Sequence, residues 1–143
     1  MTVTFVCTGN TCRSPMGEAI LKKLAAARGW DMRVLSAGLY AEPGRPLSEN
    51  ARAVLRQVYH IPDFDHVSRP LTRELFDRSD LVIPMTEGHA RILRERFGNS
   101  DKIVPMPGDV GDPWGGSFAE YEASARQIEA GIGALRERGA LHG

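Results

Sequence analysis

The strongest constraint on this chain lies at its start, where Thr2 to Cys7 (TVTFVC) runs into Thr8-Gly9-Asn10-Thr11 and then into a helical pattern. A short β-branched apolar run ended by glycine and asparagine reads as a buried strand entering a tight loop. Ser14-Pro15 predicts the helix start, because serine can cap free backbone N–H groups and proline fits the first turn. From Pro15 to about Arg28 the apolar residues Ala19, Ile20, Leu24 and Ala25 recur at helical spacing. Glu18 stands one turn before Lys22, and Gly29 ends the run. The same alternation continues, with a strand near Met32 to Ser36, a Gly/Pro-rich loop from Gly38 to Pro46, and a helix from about Ser48 to Tyr59. A short helix over Thr72 to Arg78 precedes a buried strand at Leu81-Val82-Ile83, a helix from about Glu87 to Phe97, and a weaker fourth strand from Lys102 to Met106. After the Pro/Gly-rich stretch Met106 to Gly116, a closing helix spans Phe118 to about Arg138, weakened in its middle by Gly131 and Gly133. Strands alternating with helices imply an α/β fold: a three-layer α/β/α arrangement around a central four-stranded parallel sheet, with the loop that follows Cys7 between the first strand and first helix.

Chain length and charge narrow the function classes. At 143 residues the chain suits one domain over 1–143, long enough to bury roughly 70% of its unfolded surface. Eighteen basic residues balance eighteen acidic ones, so the electrostatic footprint of a nucleic-acid binder or a polybasic membrane adaptor is missing. No apolar run approaches the roughly 18 residues of a membrane span, and Met1 to Cys7 does not read as a secretory leader. A cytoplasmic location is expected. Cys7 and Cys12 share one loop and cannot staple distant parts of the fold. His60, His66, His89 and His142 show no ligand spacing, so no metal site is expected.

The chemistry concentrates in Cys7-Thr8-Gly9-Asn10-Thr11-Cys12-Arg13-Ser14. A loop between a strand end and a helix N-terminus can turn its amides inward around an anion, which makes a phosphate cradle. Gly9 clears a side chain from the turn, Asn10 tolerates a left-handed conformation, and Arg13 offers a planar fork for two phosphate oxygens. A thiol in that setting is expected to be largely thiolate near neutral pH, which makes Cys7 a nucleophile facing phosphorus. Cys12, in the same loop, is placed to trap a peroxide-oxidised Cys7 as a disulfide, or else merely packs behind the loop.

On these residues the chain resembles the low-molecular-weight protein tyrosine phosphatase family, whose signature C-x5-R-[ST] near the N-terminus is here Cys7 to Ser14. The resemblance continues through Ser36-Ala37-Gly38, His66 before Ser68-Arg69, Asp80-Leu81-Val82 with Met85, and Asp112-Pro113, each in family order. It implies that Asp112 is the general acid, with Asp109 as its nearest competitor. It implies that Ser36, His66 and Asn10 brace the loop from behind, although a plain surface histidine remains open for His66. The reaction implied is a double displacement through a phosphocysteine on Cys7, with Arg13 and the loop amides holding the phosphoryl oxygens. Asp112 then serves as acid and base, and no cofactor is needed.

Within the family, the position before the second cysteine is usually aliphatic in tyrosine phosphatases and threonine in protein arginine phosphatases; here it is Thr11. Thr8 agrees with the arginine branch. Trp114, after Asp112-Pro113, could wall a pocket for a phenyl ring or a guanidinium plane, or pack beneath Phe118. The expectation is a monomeric protein arginine phosphatase that acts on phosphorylated proteins and releases inorganic phosphate, its substrate contacts made by Thr8, Gly9, Asn10, Thr11, Cys12, Ser14 and Trp114. The alternative is a phosphotyrosine phosphatase. Thioredoxin-linked arsenate reductases share the fold and first cysteine, but Leu81 to Ala90 contains no relay cysteine. A phosphocarrier would normally lack Arg13, and a non-catalytic phosphopeptide binder would need neither Cys7 nor Asp112.

Overall fold

The computed structural model describes all 143 residues. Its elements run β1 (Thr2–Cys7), α1 (Arg13–Arg28), β2 (Arg33–Gly38), α2 (Glu49–Gln57), α3 (Arg73–Arg78), β3 (Leu81–Pro84), α4 (Glu87–Phe97) and α5 (Phe118–Glu137). β1 lies in the middle of a parallel sheet ordered β2-β1-β3, with Cys7 opposite Gly38 and Phe5 opposite both Ser36 and Ile83. Strand parity assigns the two faces. Val3, Phe5 and Cys7 join Val34, Leu81 and Ile83 in a core with Met16 and Leu21 of α1, Val54 and Leu55 of α2, and Ile128, Ile132 and Leu135 of α5. Val6, Ala37 and Val82 face the other way, onto Leu75 and Phe76 of α3 and Ala90 and Leu93 of α4. Helices thus cover both faces, and the strands read as nearly continuous apolar runs for that reason.

The expected fourth strand is a correction: the sheet has three strands, and the segment 102–106 touches it only through an isolated bridge between Val82 and Ile103. Val82 N donates to Lys102 O at 2.8 Å and Val104 N donates to Val82 O at 2.9 Å, as in a parallel ladder. At the next pair, Met106 N donates to Pro84 O at 3.0 Å, but Pro84 has no N–H to return. The ladder stops at that proline.

Ser14 supplies a second correction. Helix α1 begins at Arg13 with Cys12 at its N-cap position, the Cys12 side chain makes no capping hydrogen bond, and Ser14 is already helical. The hydroxyl that local rules assign to the cap is turned instead toward Cys7.

Candidate active site

The loop from Thr8 to Cys12 bends where Asn10 adopts a left-handed backbone with φ of 59°, a conformation asparagine tolerates better than most residues. Gly38 permits the bend from the opposite side: a Cβ there would stand 2.6 Å from Thr8 O and 3.1 Å from Asn10 N. Asn10 is fully buried, and every polar atom of its side chain is used. Its Nδ2 donates to Ser14 Oγ at 2.8 Å and Ser36 Oγ at 3.0 Å, while its Oδ1 accepts from Arg69 N at 3.0 Å. His66 Nε2 donates to Asn10 O at 2.7 Å, so the residues expected to brace the loop, Asn10, Ser36 and His66, do meet behind it.

The direction of this network follows from a residue that sequence reasoning took only for a helix-surface pair. Glu18, buried on α1, accepts from Ser36 Oγ at 2.6 Å and from Lys22 Nζ at 2.6 Å. A carboxylate can only accept, so the Ser36 proton points to Glu18 and Ser36 Oγ receives from Asn10. Asn10 also gives to Ser14 Oγ, whose own proton has two acceptors in reach, Cys7 Sγ at 2.9 Å and Ala37 O at 3.4 Å; Ser14 N–H points to the same sulfur at 3.4 Å. The signal was present in the sequence, since Ser14 and Glu18 are one helical turn apart and share a face.

Arg13 is buried at the start of α1, where Nη1 donates to Val110 O at 3.1 Å and Nη2 stands 3.7 Å from Asp112 Oδ2. Cys7, Arg13, Thr8 to Cys12, Asp112 and Trp114 all line one cavity of about 660 Å³. Asp109 is committed elsewhere, its Oδ1 accepting from Glu87 N at 2.9 Å at the start of α4. Trp114 is 76% exposed, so it does not pack beneath Phe118; it lines the cavity together with Tyr40, which is 65% exposed and carries the Arg96 guanidinium over its ring at 4.7 Å. Cys12 Sγ lies 3.3 Å from both Ser48 Oγ and Tyr121 OH, and Tyr121 is pushed up to about 12 by burial first and by its bond to Cys12 second. Both cysteines are free thiols.

Residues 2–140 match the family model of low molecular weight phosphotyrosine protein phosphatases. The chain belongs to that family. Among its low molecular weight phosphatase relatives, the "Protein-arginine-phosphatase" of Bacillus subtilis (strain 168) is 42% identical over 90% of this chain and 90% of its own. PtpB of Staphylococcus haemolyticus, a "low molecular weight protein-tyrosine-phosphatase", is 34% identical over 95% and 98%. A solved cysteine-to-serine mutant of the YwlE arginine phosphatase, with its active-site serine phosphorylated, superposes with a TM-score of 0.89 at 39% identity, covering 96% of this chain and 95% of that one. No helix of this family member is long and apolar enough to cross a membrane.

His89, which sequence spacing left without a role, is buried beside the phosphatase loop and pushed down to about 4, by burial first and the Arg13 guanidinium second, against the opposite pull of Asp112 and Asp109. Its folded-state value lies below the unfolded 6.5, so the unfolded chain binds the extra proton first as pH falls. Above pH 6.5 the group costs nothing; between 6.5 and 4 it removes stability progressively, about 2 kcal/mol in all after allowance for solvent screening. Denaturant titrations at pH 7 and pH 4.5 should therefore show a smaller stability loss for His89→Gln than for wild type. Equal losses would refute the assignment.

Proposed function

We propose that this chain is a cysteine-dependent protein arginine phosphatase, a single domain over 1–143 that acts as a cytoplasmic monomer on phosphoarginine in proteins. The observation that carries the reading is Thr11 lining the cavity with Cys7, Arg13 and Asp112. The 42% identical relative from Bacillus subtilis, named as a protein arginine phosphatase, supports it.

In the proposed reaction the Cys7 thiolate attacks phosphorus while Arg13 and the loop amides carry the charge on the phosphoryl oxygens. The P–N bond breaks, its electron pair goes to the guanidine nitrogen, and the Asp112 carboxylic acid protonates that nitrogen. Asp112, now a carboxylate, takes a proton from water as the water attacks the phosphocysteine. The S–P bond breaks, inorganic phosphate leaves, and Cys7 is again a thiolate held by the Ser14 donors. Every group consumed is restored, and the chain and water supply all of them.

A phosphoarginine brings N–H donors close to phosphorus, where a phosphotyrosine brings an apolar ring. Thr11 offers a hydroxyl to such donors, whereas isoleucine there would crowd the guanidinium plane and leave its donors unpaired, at a cost of about 1 to 3 kcal/mol. Thr11→Ile should therefore lower kcat/KM for a phosphoarginine peptide by roughly 5- to 150-fold while keeping or raising that for the phosphotyrosine peptide of the same sequence. The second reading, a phosphotyrosine phosphatase, is favoured by the 34% identical Staphylococcus haemolyticus relative. It stands if wild type prefers phosphotyrosine, or if the substitution changes both substrates by one factor.

A further inference from the structure

Thr8, the residue after the nucleophile, is held from two sides. Its carbonyl accepts from Tyr40 N at 3.0 Å, beyond the end of β2, and its Oγ1 lies 2.9 Å from His89 Nε2, which comes from the first turn of α4. Thr8 is exposed to the cavity, whereas His89 is buried behind it. The other ring nitrogen is also engaged: His89 Nδ1 lies 3.0 Å from Thr86 Oγ1, the N-cap hydroxyl of α4, which already accepts from His89 N at 3.1 Å. With one Thr86 lone pair taken by that amide, Thr86 Oγ1 keeps a proton and a second lone pair, so it serves either ring tautomer. A neutral imidazole that accepts at Nδ1 donates from Nε2 to Thr8 Oγ1, and one protonated at Nδ1 accepts the Thr8 proton at Nε2; in both the buried ring fixes the position of Thr8 Oγ1.

The cascade from Thr86 through His89 to Thr8 has a consequence for the cavity. A threonine side chain free of partners samples three staggered rotamers, and one whose oxygen is tied to a buried ring keeps a single one. In either tautomer Thr8 Oγ1, fixed by the ring, retains at least one lone pair for whatever occupies the cavity. That combination suits a leaving group with planar N–H donors and gives nothing to the edge of a phenyl ring.

We infer that His89 is a specificity-determining positioning residue: by orienting the Thr8 hydroxyl, it selects phosphorylated leaving groups that carry N–H donors next to phosphorus. The inference rests on the phosphoarginine reading above and adds to it a second determinant, on the opposite end of the loop from Thr11 and anchored in α4. His89 acts only through Thr8 and does not touch the reacting atoms.

The test is a double-mutant cycle with Thr8→Val and His89→Leu, read as separate kcat and KM values on phosphoarginine and phosphotyrosine peptides of one sequence. Thr8→Val is nearly isosteric at an exposed position and keeps the test alive if His89→Leu does not fold; in that case Thr86→Val, which releases the Nδ1 end of the cascade, takes its place in the cycle. On phosphoarginine each single variant should raise KM and lower kcat/KM by about 10-fold, and the double variant should lose no more than either alone, because both remove one hydrogen bond. On phosphotyrosine each loss should be smaller, about 2-fold. His89→Gln, which can again present an amide N–H to Thr8, should recover part of the phosphoarginine activity. Losses that multiply in the double variant, or that are equal on both substrates, overturn the inference. Wild-type preference for phosphotyrosine instead overturns the arginine reading, and multiplicative losses on that preferred substrate would still break the link between His89 and Thr8.

Discussion

Cys7→Ser should abolish turnover, by at least about 10⁴-fold, while the protein continues to bind inorganic phosphate. The two halves of this result come from different atoms. Turnover needs an anionic sulfur in line with phosphorus that can leave again in the second displacement; a serine hydroxyl is the weaker nucleophile and, once phosphorylated as in the solved YwlE mutant, the poorer leaving group. Binding depends on the loop amides, the N-terminus of α1 and the Arg13 guanidinium, which the substitution leaves in the chain. Calorimetric titration with phosphate, run beside a chromogenic aryl phosphate assay, separates them. Residual activity within tenfold of wild type would falsify the nucleophile assignment, and loss of phosphate binding would mean that the sulfur itself shapes the cradle.

Asp112→Asn should be nearly as damaging, but only where the leaving group needs a proton. Guanidine is a strong base, and its P–N bond breaks as the nitrogen is protonated, so removal of the acid should cost roughly 10²- to 10⁴-fold on phosphoarginine. A nitrophenolate leaves without a proton, and its loss should be about tenfold or less. Asp112 is well placed for such duty because its side chain is 57% exposed, stands 3.7 Å from the buried Arg13 and is held at the cavity by Trp114 N, which donates to its Oδ1 at 3.2 Å. Asp109→Asn is the internal control: its carboxylate is bound to Glu87 N, and the substitution should weaken the start of α4 without a dependence on leaving group. A series of aryl phosphates of graded leaving-group pKa decides the matter, and equal losses along the series for Asp112→Asn would remove it from the proton-transfer step.

What the sequence made legible was local or periodic. The strand before Cys7, the turn residues Gly9 and Asn10, and the helix that follows all lie within one stretch, and the alternate burial of Val3, Phe5 and Cys7 is a property of any strand covered on both faces. Asp112 and His66 were found only through resemblance, because nothing in their neighbouring residues says which loop they approach. The misreadings share a cause. Ser14 obeys a sound local rule for helix caps, but a buried asparagine and a sulfur atom, assembled from β1, α1 and β2, compete for its hydroxyl and win. The fourth strand fails because Pro84 must meet a particular partner residue, and that register is set across the sheet. Glu18 and His89 escaped for the same reason: each is unremarkable on its own helix and acquires a role only when a second element brings Ser36 or Thr8 within 3 Å.

The central place of β1 also governs when the site comes into being during synthesis. β1 pairs on one side with β2, about thirty residues later, and on the other with β3, nearly eighty residues later, as in Thr4 opposite both Leu35 and Val82. Cys12 and Arg13 further depend on Tyr121 and Val110 near the far end of the chain. Long-range pairing of this kind must close large loops before it is rewarded. A nascent chain can therefore carry the whole Cys7 to Ser14 segment well clear of the ribosome and still hold its reactive thiol in an unformed cradle. The cradle is complete only with the segments that carry Val110 and Tyr121 in place.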